Sequence, residues 1–188
     1  GDTEVLVGLD GWNTEIKERP NLKVFHREKP IGQRAMQNLL ARYAGQSDSK
    51  YIMKVDAHCS FSQGFDVKMM EDMNDNIVLV PALGNLHAYD WVCPLGHRIY
   101  QGKVTKCEQC GDENLTKKLV WKIESKLYSD FYFDKDLIFQ FGDVDNYEML
   151  HETQAIQGSG FMVSKDNYFN WNLCDESWGS WGQQGYEI

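Results

Sequence analysis

No block of Lys and Arg runs through this chain of 188 residues. An electrostatic grip on nucleic acid is therefore not advertised, although the net charge of −9 still leaves room for a local basic groove. No apolar run approaches the roughly 20 residues needed to span a bilayer, so no membrane partner is expected. The opening Gly1-Asp2-Thr3-Glu4 does not read as a signal peptide. Internal repeats and low-complexity tracts are missing. So is any G-x-G-x-x-R-type loop near a strand end, which argues against a nucleotidyltransferase. The five cysteines, three of them in metal-ligand spacing, fit a reducing cytosol better than a disulfide scaffold. A cytoplasmic location is the expectation.

What is present suffices for a core. Apolar residues make up 42% of the chain, with six Trp, nine Tyr and nine Phe, and the charged fraction of 25% is that of an ordinary folded protein. The length suits one domain, 1–188, with an insertion. Buried strands are expected at 4–9, ending at Asp10-Gly11, and at 22–25. Pro30 and Gly32 break the chain before a helix over about 33–44. Its Ala35, Met36, Leu39, Leu40 and Tyr43 share one stripe, and Gly45 closes it. A strand at 51–56, a helix at about 65–73 and a strand at 77–81 follow. This alternation predicts a largely parallel sheet with covered faces. The rhythm breaks over 84–118, which reads as an insertion. It resumes as a strand from Ala155 to Val163 through Gly158-Ser159-Gly160.

The segment Lys54-Val55-Asp56-Ala57-His58-Cys59 carries the most information. Residues i and i+2 of a strand point the same way, so Asp56 and His58 can converge on one cation at the strand's carboxyl end. A carboxylate with an imidazole suits manganese or another first-row divalent ion better than calcium. The plainer alternative is an Asp that starts a turn and a surface His.

Within the insertion, Cys93-Pro94-Leu95-Gly96-His97 and Cys107-Glu108-Gln109-Cys110-Gly111 form two half-sites. Three thiolates and one imidazole give tetrahedral closure with no open position, so Cys93, His97, Cys107 and Cys110 are expected to hold a structural zinc. A lobe this small has little core, and the metal would supply its folding energy.

With these residues in place, the chain resembles family 2 glycosyltransferases of the GT-A fold. It is most similar to a subgroup encoded by phages and prophages that carries a comparable zinc-binding insertion. Its D-x-H also resembles the metal motif of the polypeptide N-acetylgalactosaminyltransferases. Glu4 to Trp12 matches the strand whose terminal Asp, here Asp10, contacts the nucleotide base in the family. Asp10 also reads as a simple turn residue. Gly32 and Asn38 match the G-x-x-x-A-R-N helix start, with Arg34 as the positive charge near the donor. Gln157-Gly158-Ser159-Gly160-Phe161 matches a glycine-rich strand near donor sugar and acceptor, where Gly158 and Gly160 let substrate approach the backbone. A bulged strand is the alternative there. Cys174 to Trp178, then Trp181 to Glu187, match a D-E-x-x-x-x-W-G-x-E-D/N segment.

The resemblance implies transfer of a sugar from a nucleotide-diphosphate donor, UDP-linked by expectation, to an acceptor hydroxyl. Asp56 and His58 would hold Mn or Mg, the Lewis acid that supports the departing diphosphate. The acceptor would be a modified base in phage DNA, a glycan or a protein, and the compartment the host cytoplasm for a phage-encoded enzyme. Gln183-Gln184 stands where the family places its acid, and Glu187 is the nearest carboxylate that follows. The family's earlier P-x-x-N-E strand and a later His are not within 1–188, so the chain reads as the middle of a longer protein. The competing reading is a catalytically degenerate module that uses the zinc lobe to dock on DNA or a protein partner.

Overall fold

The computed structural model describes residues 3–142 and 150–180. The chain divides into two compact units. Unit 1 holds 1–81, 131–140 and 150–188, and unit 2 holds 82–130 and 141–149.

Unit 1 begins with β1 (Val5–Asp10) and β2 (Leu22–Arg27), which pair in parallel, Val5 opposite Leu22. Helix α1 (Gln33–Gly45) follows. Gly32, the residue before it, has φ +96, and a Cβ there would stand 2.7 Å from the Cβ of Ser180. Conformation and crowding both require glycine at that point. Gly45 is the last helical residue, and the end is closed by Ser47, whose hydroxyl donates to the Ala44 carbonyl at 2.7 Å.

β3 (Tyr51–Val55), α2 (Phe65–Asp72) and the short β4 (Val78–Leu79) come next, and β10 (Gly160–Ser164) lies between β3 and β4. Every residue of β10 is buried. Phe161 and Val163 pack with Ala41, Ile156, Tyr168 and Leu173, while Met162 packs with Met69, Met73 and Leu79. The strand period of two thus serves two cores, one holding Ala41 of α1 and the other Met69 of α2. The short α3 (Lys165–Asn170) follows β10 directly, its amino end capped by the Ser164 hydroxyl.

The expected largely parallel sheet is found only in part. β1 and β2 are parallel, but β10 runs antiparallel to both β3 and β4. The pattern rule assumes short crossovers, and β10 returns only after the whole of unit 2, so no short connection fixes its direction. The molecule remains a mixed α/β fold.

Unit 2 centres on an antiparallel sheet in the order β6 (Arg98–Tyr100), β5 (Leu83–Val92), β7 (Thr116–Tyr128). The segment 84–118 lies inside this unit, and β7 carries the sheet on to Tyr128. β7 is an edge strand. Lys117, Lys118, Lys122 and Lys126 are exposed along it, and Trp121 breaks its line with φ 55. Lysines and an irregular backbone are the usual means by which a long edge is kept from pairing with another chain. The chain then forms β8 (Asp130–Phe133) and β9 (Phe139–Gly142), which pair with each other. No helix among the described residues is long and apolar enough to cross a membrane.

Candidate active site and metal cluster

β3 stops at Val55, one residue short of the expected strand. Asp56 begins a turn, with the Cys59 amide donating to the Asp56 carbonyl at 3.1 Å. Asp56 and His58 therefore do not lie on a strand as i and i+2. They occupy a turn at the strand's carboxyl end, with His58 exposed and the Asp56 side chain 26% exposed. The Asp56 amide makes the last rung of the β3–β10 ladder, donating to the Ser159 carbonyl at 2.8 Å, and the chain turns from there because its partner strand begins only at Gly160. A carboxylate oxygen and an imidazole nitrogen are donors of the kind that first-row divalent ions take.

The turn facing it is made by Gln157 to Gly160, with the Gly160 amide donating to the Gln157 carbonyl at 3.3 Å. This tight turn replaces the first part of the strand expected at 155–163. From Gly160 on, β10 pairs with β3 in unbroken register, so no bulge accounts for the glycine. A Cβ on Gly160 would meet only ordinary contacts, 3.8 Å from the Lys54 carbonyl and from Pro81.

Lys54, a residue to which sequence reasoning assigns no role, joins the two turns. Its side chain is 6% exposed. Its ammonium donates to Asp56 Oδ1 at 2.5 Å and to the Gly158 carbonyl. The available signal was a lysine inside an apolar strand, two residues before the carboxylate.

Asp10 ends β1, and its two carboxylate oxygens accept from the Ile31 and Gly32 amides, each at 2.8 Å. It thereby fixes the turn that launches α1. Arg34 is fully buried, with Nη1 donating to the Asp175 carbonyl at 3.3 Å. Asn38, one turn further on, donates to the Cys174 carbonyl and to Glu176 Oε1, each at 3.0 Å. The helix start and the 174–178 segment are thus clasped together. Asp175 caps its own 3-10 turn. Hydrogen bonds from Ser177, with Arg34 behind, hold the Asp175 carboxyl below its usual range. Trp178 is half exposed. Glu187, Trp181, Gln183 and Gln184 lie outside the described residues.

In unit 2, Cys93, His97, Cys107 and Cys110 bring their ligand atoms within 4.8 Å of one another, and all five thiols of the chain are free. His97 Nδ1 lies 3.5 Å from Cys93 Sγ and 3.6 Å from Cys107 Sγ, and the Cys110 and Cys93 sulfurs are 3.7 Å apart. A tetrahedron with metal–sulfur legs of about 2.3 Å and metal–nitrogen legs of about 2.0–2.1 Å has edges of about 3.8 and 3.5 Å. The cluster has the dimensions of a zinc site. Each half-site is a tight turn. The Gly96 amide donates to the Cys93 carbonyl at 2.8 Å and the Gly111 amide to the Cys107 carbonyl at 2.7 Å, both glycines having left-handed φ. Burial opposes the Cys107 thiolate, but the amides of Gln109 and Cys110 outweigh it and bring the thiol down to about 6. The Asp112 amide favours the Cys110 thiolate, yet burial and the neighbouring Cys107 and Cys93 sulfurs push that thiol up. Among the described residues this is the one cluster of three or more His, Cys, Asp or Glu side chains drawn together tightly enough to hold an ion.

No family model matches the chain, and no curated protein matches it. Among solved structures it is similar to GalNAc-T7 with UDP, GalNAc and Mn2+. The TM-score is 0.65 and the identity 17%, over 99% of this chain and 34% of that one. The chain thus spans about a third of the length of the solved structure it matches. The likeness shows a mixed α/β fold similar to that of a GT-A glycosyltransferase.

Proposed function

We propose that this chain is the donor-binding part of a metal-dependent glycosyltransferase that moves a sugar from a UDP-linked donor to an acceptor hydroxyl. The observation that carries the reading is the meeting of the D-x-H turn with the glycine turn. The Asp56 amide lies 2.8 Å from the Ser159 carbonyl, in a fold that resembles a structure holding UDP, GalNAc and Mn2+.

In this reading Asp56 and His58 hold Mn or Mg, which acts as the Lewis acid for the departing diphosphate. Asp10 stands at the end of β1 and offers its remaining lone pairs to the nucleotide base. Arg34 supplies buried positive charge behind the 174–178 segment. Gly158 and Gly160 leave room for the donor sugar, which explains a glycine at 160 where the fold does not demand one. Glu187 is the candidate base. Its replacement by Gln, which keeps shape and removes charge, tests that role. The Cys93, His97, Cys107 and Cys110 cluster holds zinc as a structural centre.

The test is UDP-sugar hydrolysis with manganese. Asp56→Ala is expected to abolish turnover while leaving the fold intact, because the leaving-group charge then lacks support. Near-normal turnover of the Ala variant, or turnover without any divalent ion, would remove Asp56 from the chemistry. Product analysis then sorts the acceptor classes that the resemblance implies: a modified base in phage DNA, a glycan or a protein hydroxyl.

A second reading draws on the Lys54–Asp56 ion pair and on Gln183-Gln184. In it the sheet is a degenerate scaffold and unit 2 docks on DNA or a protein. Absence of donor binding in the presence of manganese, with zinc retained, selects that reading.

A further inference from the structure

The side chain of Lys54 is almost wholly enclosed, and both of its anchors belong to the candidate donor site. Its ammonium takes Asp56 Oδ1 at 2.5 Å and the Gly158 carbonyl. Among the described residues nothing engages Asp56 Oδ2. One oxygen of the carboxylate is thus committed to a resident cation and the other is open. Lys54 lies opposite Phe161 in the β3–β10 ladder, so it cannot swing away into water without leaving the core.

We propose that Lys54 is a built-in counter-ion with which an incoming divalent ion must share the Asp56 carboxylate, so that metal and nucleoside diphosphate bind cooperatively. The proposal rests on the glycosyltransferase reading of this site. An ion on Oδ2 stands a few ångströms from the ammonium. Their repulsion is large against thermal energy even at an effective dielectric constant of about 20. The ion alone is therefore held weakly. A diphosphate that arrives with it brings negative charge that offsets both cations. Coupling of this kind is reciprocal: the diphosphate tightens the metal by the same factor as the metal tightens the diphosphate. A purely structural lysine makes the opposite prediction. If Lys54 only tied the two turns together, its removal would loosen Asp56 and weaken metal binding.

Free Mn2+ is measured by electron paramagnetic resonance during titration of the whole chain, with and without UDP. The wild type is compared with Lys54→Met and Lys54→Gln. Gln keeps a donor for the Gly158 carbonyl and removes only the charge, so it remains informative if the Met variant does not fold. The wild type is expected to bind Mn2+ weakly alone and at least tenfold more tightly with UDP. The variants are expected to bind Mn2+ alone about tenfold or more tightly than the wild type does, a factor that a lost charge–charge repulsion of this range supplies. They should also lose most of the UDP dependence. Unchanged or weaker Mn2+ binding by the variants, beside UDP-dependent binding by the wild type, overturns the counter-ion and leaves the glycosyltransferase reading standing. Failure of the wild type to bind Mn2+ even with UDP overturns both.

Discussion

The Tyr168 hydroxyl donates to Asn38 Oδ1 at 3.0 Å, which couples the helix after β10 to the helix after β2. The amide of the same Asn38 holds the Cys174 carbonyl and the Glu176 carboxylate. One side chain therefore satisfies three groups, and Tyr168 is only 2% exposed. Asn38→Ala is expected to cost about 1–3 kcal/mol, the usual penalty for stranding buried partners. Chemical denaturation measures it. A variant as stable as the wild type would separate this clasp from the integrity of the 174–178 segment.

The Cys93, His97, Cys107 and Cys110 cluster should carry about one zinc per chain, with metal–sulfur distances near 2.3 Å by X-ray absorption. Cys107→Ala removes a ligand whose thiolate the Gln109 and Cys110 amides favour, and is expected to lose the metal and the ordered turns of residues 93–111. Elemental analysis checks the first outcome and hydrogen exchange across 93–111 the second. Full zinc content in the Ala variant would contradict the ligand set.

Two glycines are expected to respond differently to alanine. Gly32→Ala strains a left-handed backbone and drives a Cβ towards Ser180, for a loss of about 1–3 kcal/mol. Gly160→Ala meets no crowding and should melt within a few degrees of the wild type, yet it should weaken UDP-sugar binding. Thermal melts and donor titration separate the cases. Equal donor affinity in the 160 variant would make that glycine incidental.

Acid should weaken unit 2 through Asp90. Burial pushes this carboxyl up, but the His87 hydrogen bond at 2.7 Å and the Arg98 guanidinium at 2.7 Å outweigh it and hold it below the ordinary value. A carboxyl lowered on folding contributes stability that is present above its unfolded value, near 4. That contribution is lost as pH falls through the folded value. Asp90→Asn is therefore expected to melt below the wild type at pH 7, with the gap closing as pH drops below about 4. A gap that persists unchanged in acid would assign the loss to packing rather than to charge.

Much of this was legible in the sequence because it is local. The apolar stripe of α1 and the runs at β1 and β3 declare themselves within a dozen residues. The Cys93, His97, Cys107 and Cys110 cluster is readable because two short half-sites carry all its members. The direction of β10 was not readable, since it depends on a ladder formed across the whole of unit 2. The turn at Asp56 was missed because β3 ends where its partner strand begins, at Gly160, far along the chain. The burial of Arg34 was not readable either. It depends on the Cys174 to Ser180 segment folding back over Arg34, which no local pattern encodes.

The placement of β10 also bears on how the protein is made. β3 and β4 have no ladder with each other and meet only through β10, which is synthesised after the whole of 82–130. On the ribosome the two strands are expected to wait with open edges while the Cys/His turns of unit 2, built from near neighbours in the chain, form first. A chain ending before Gly160 leaves those edges bare, and such a fragment is expected to aggregate rather than form a smaller folded protein.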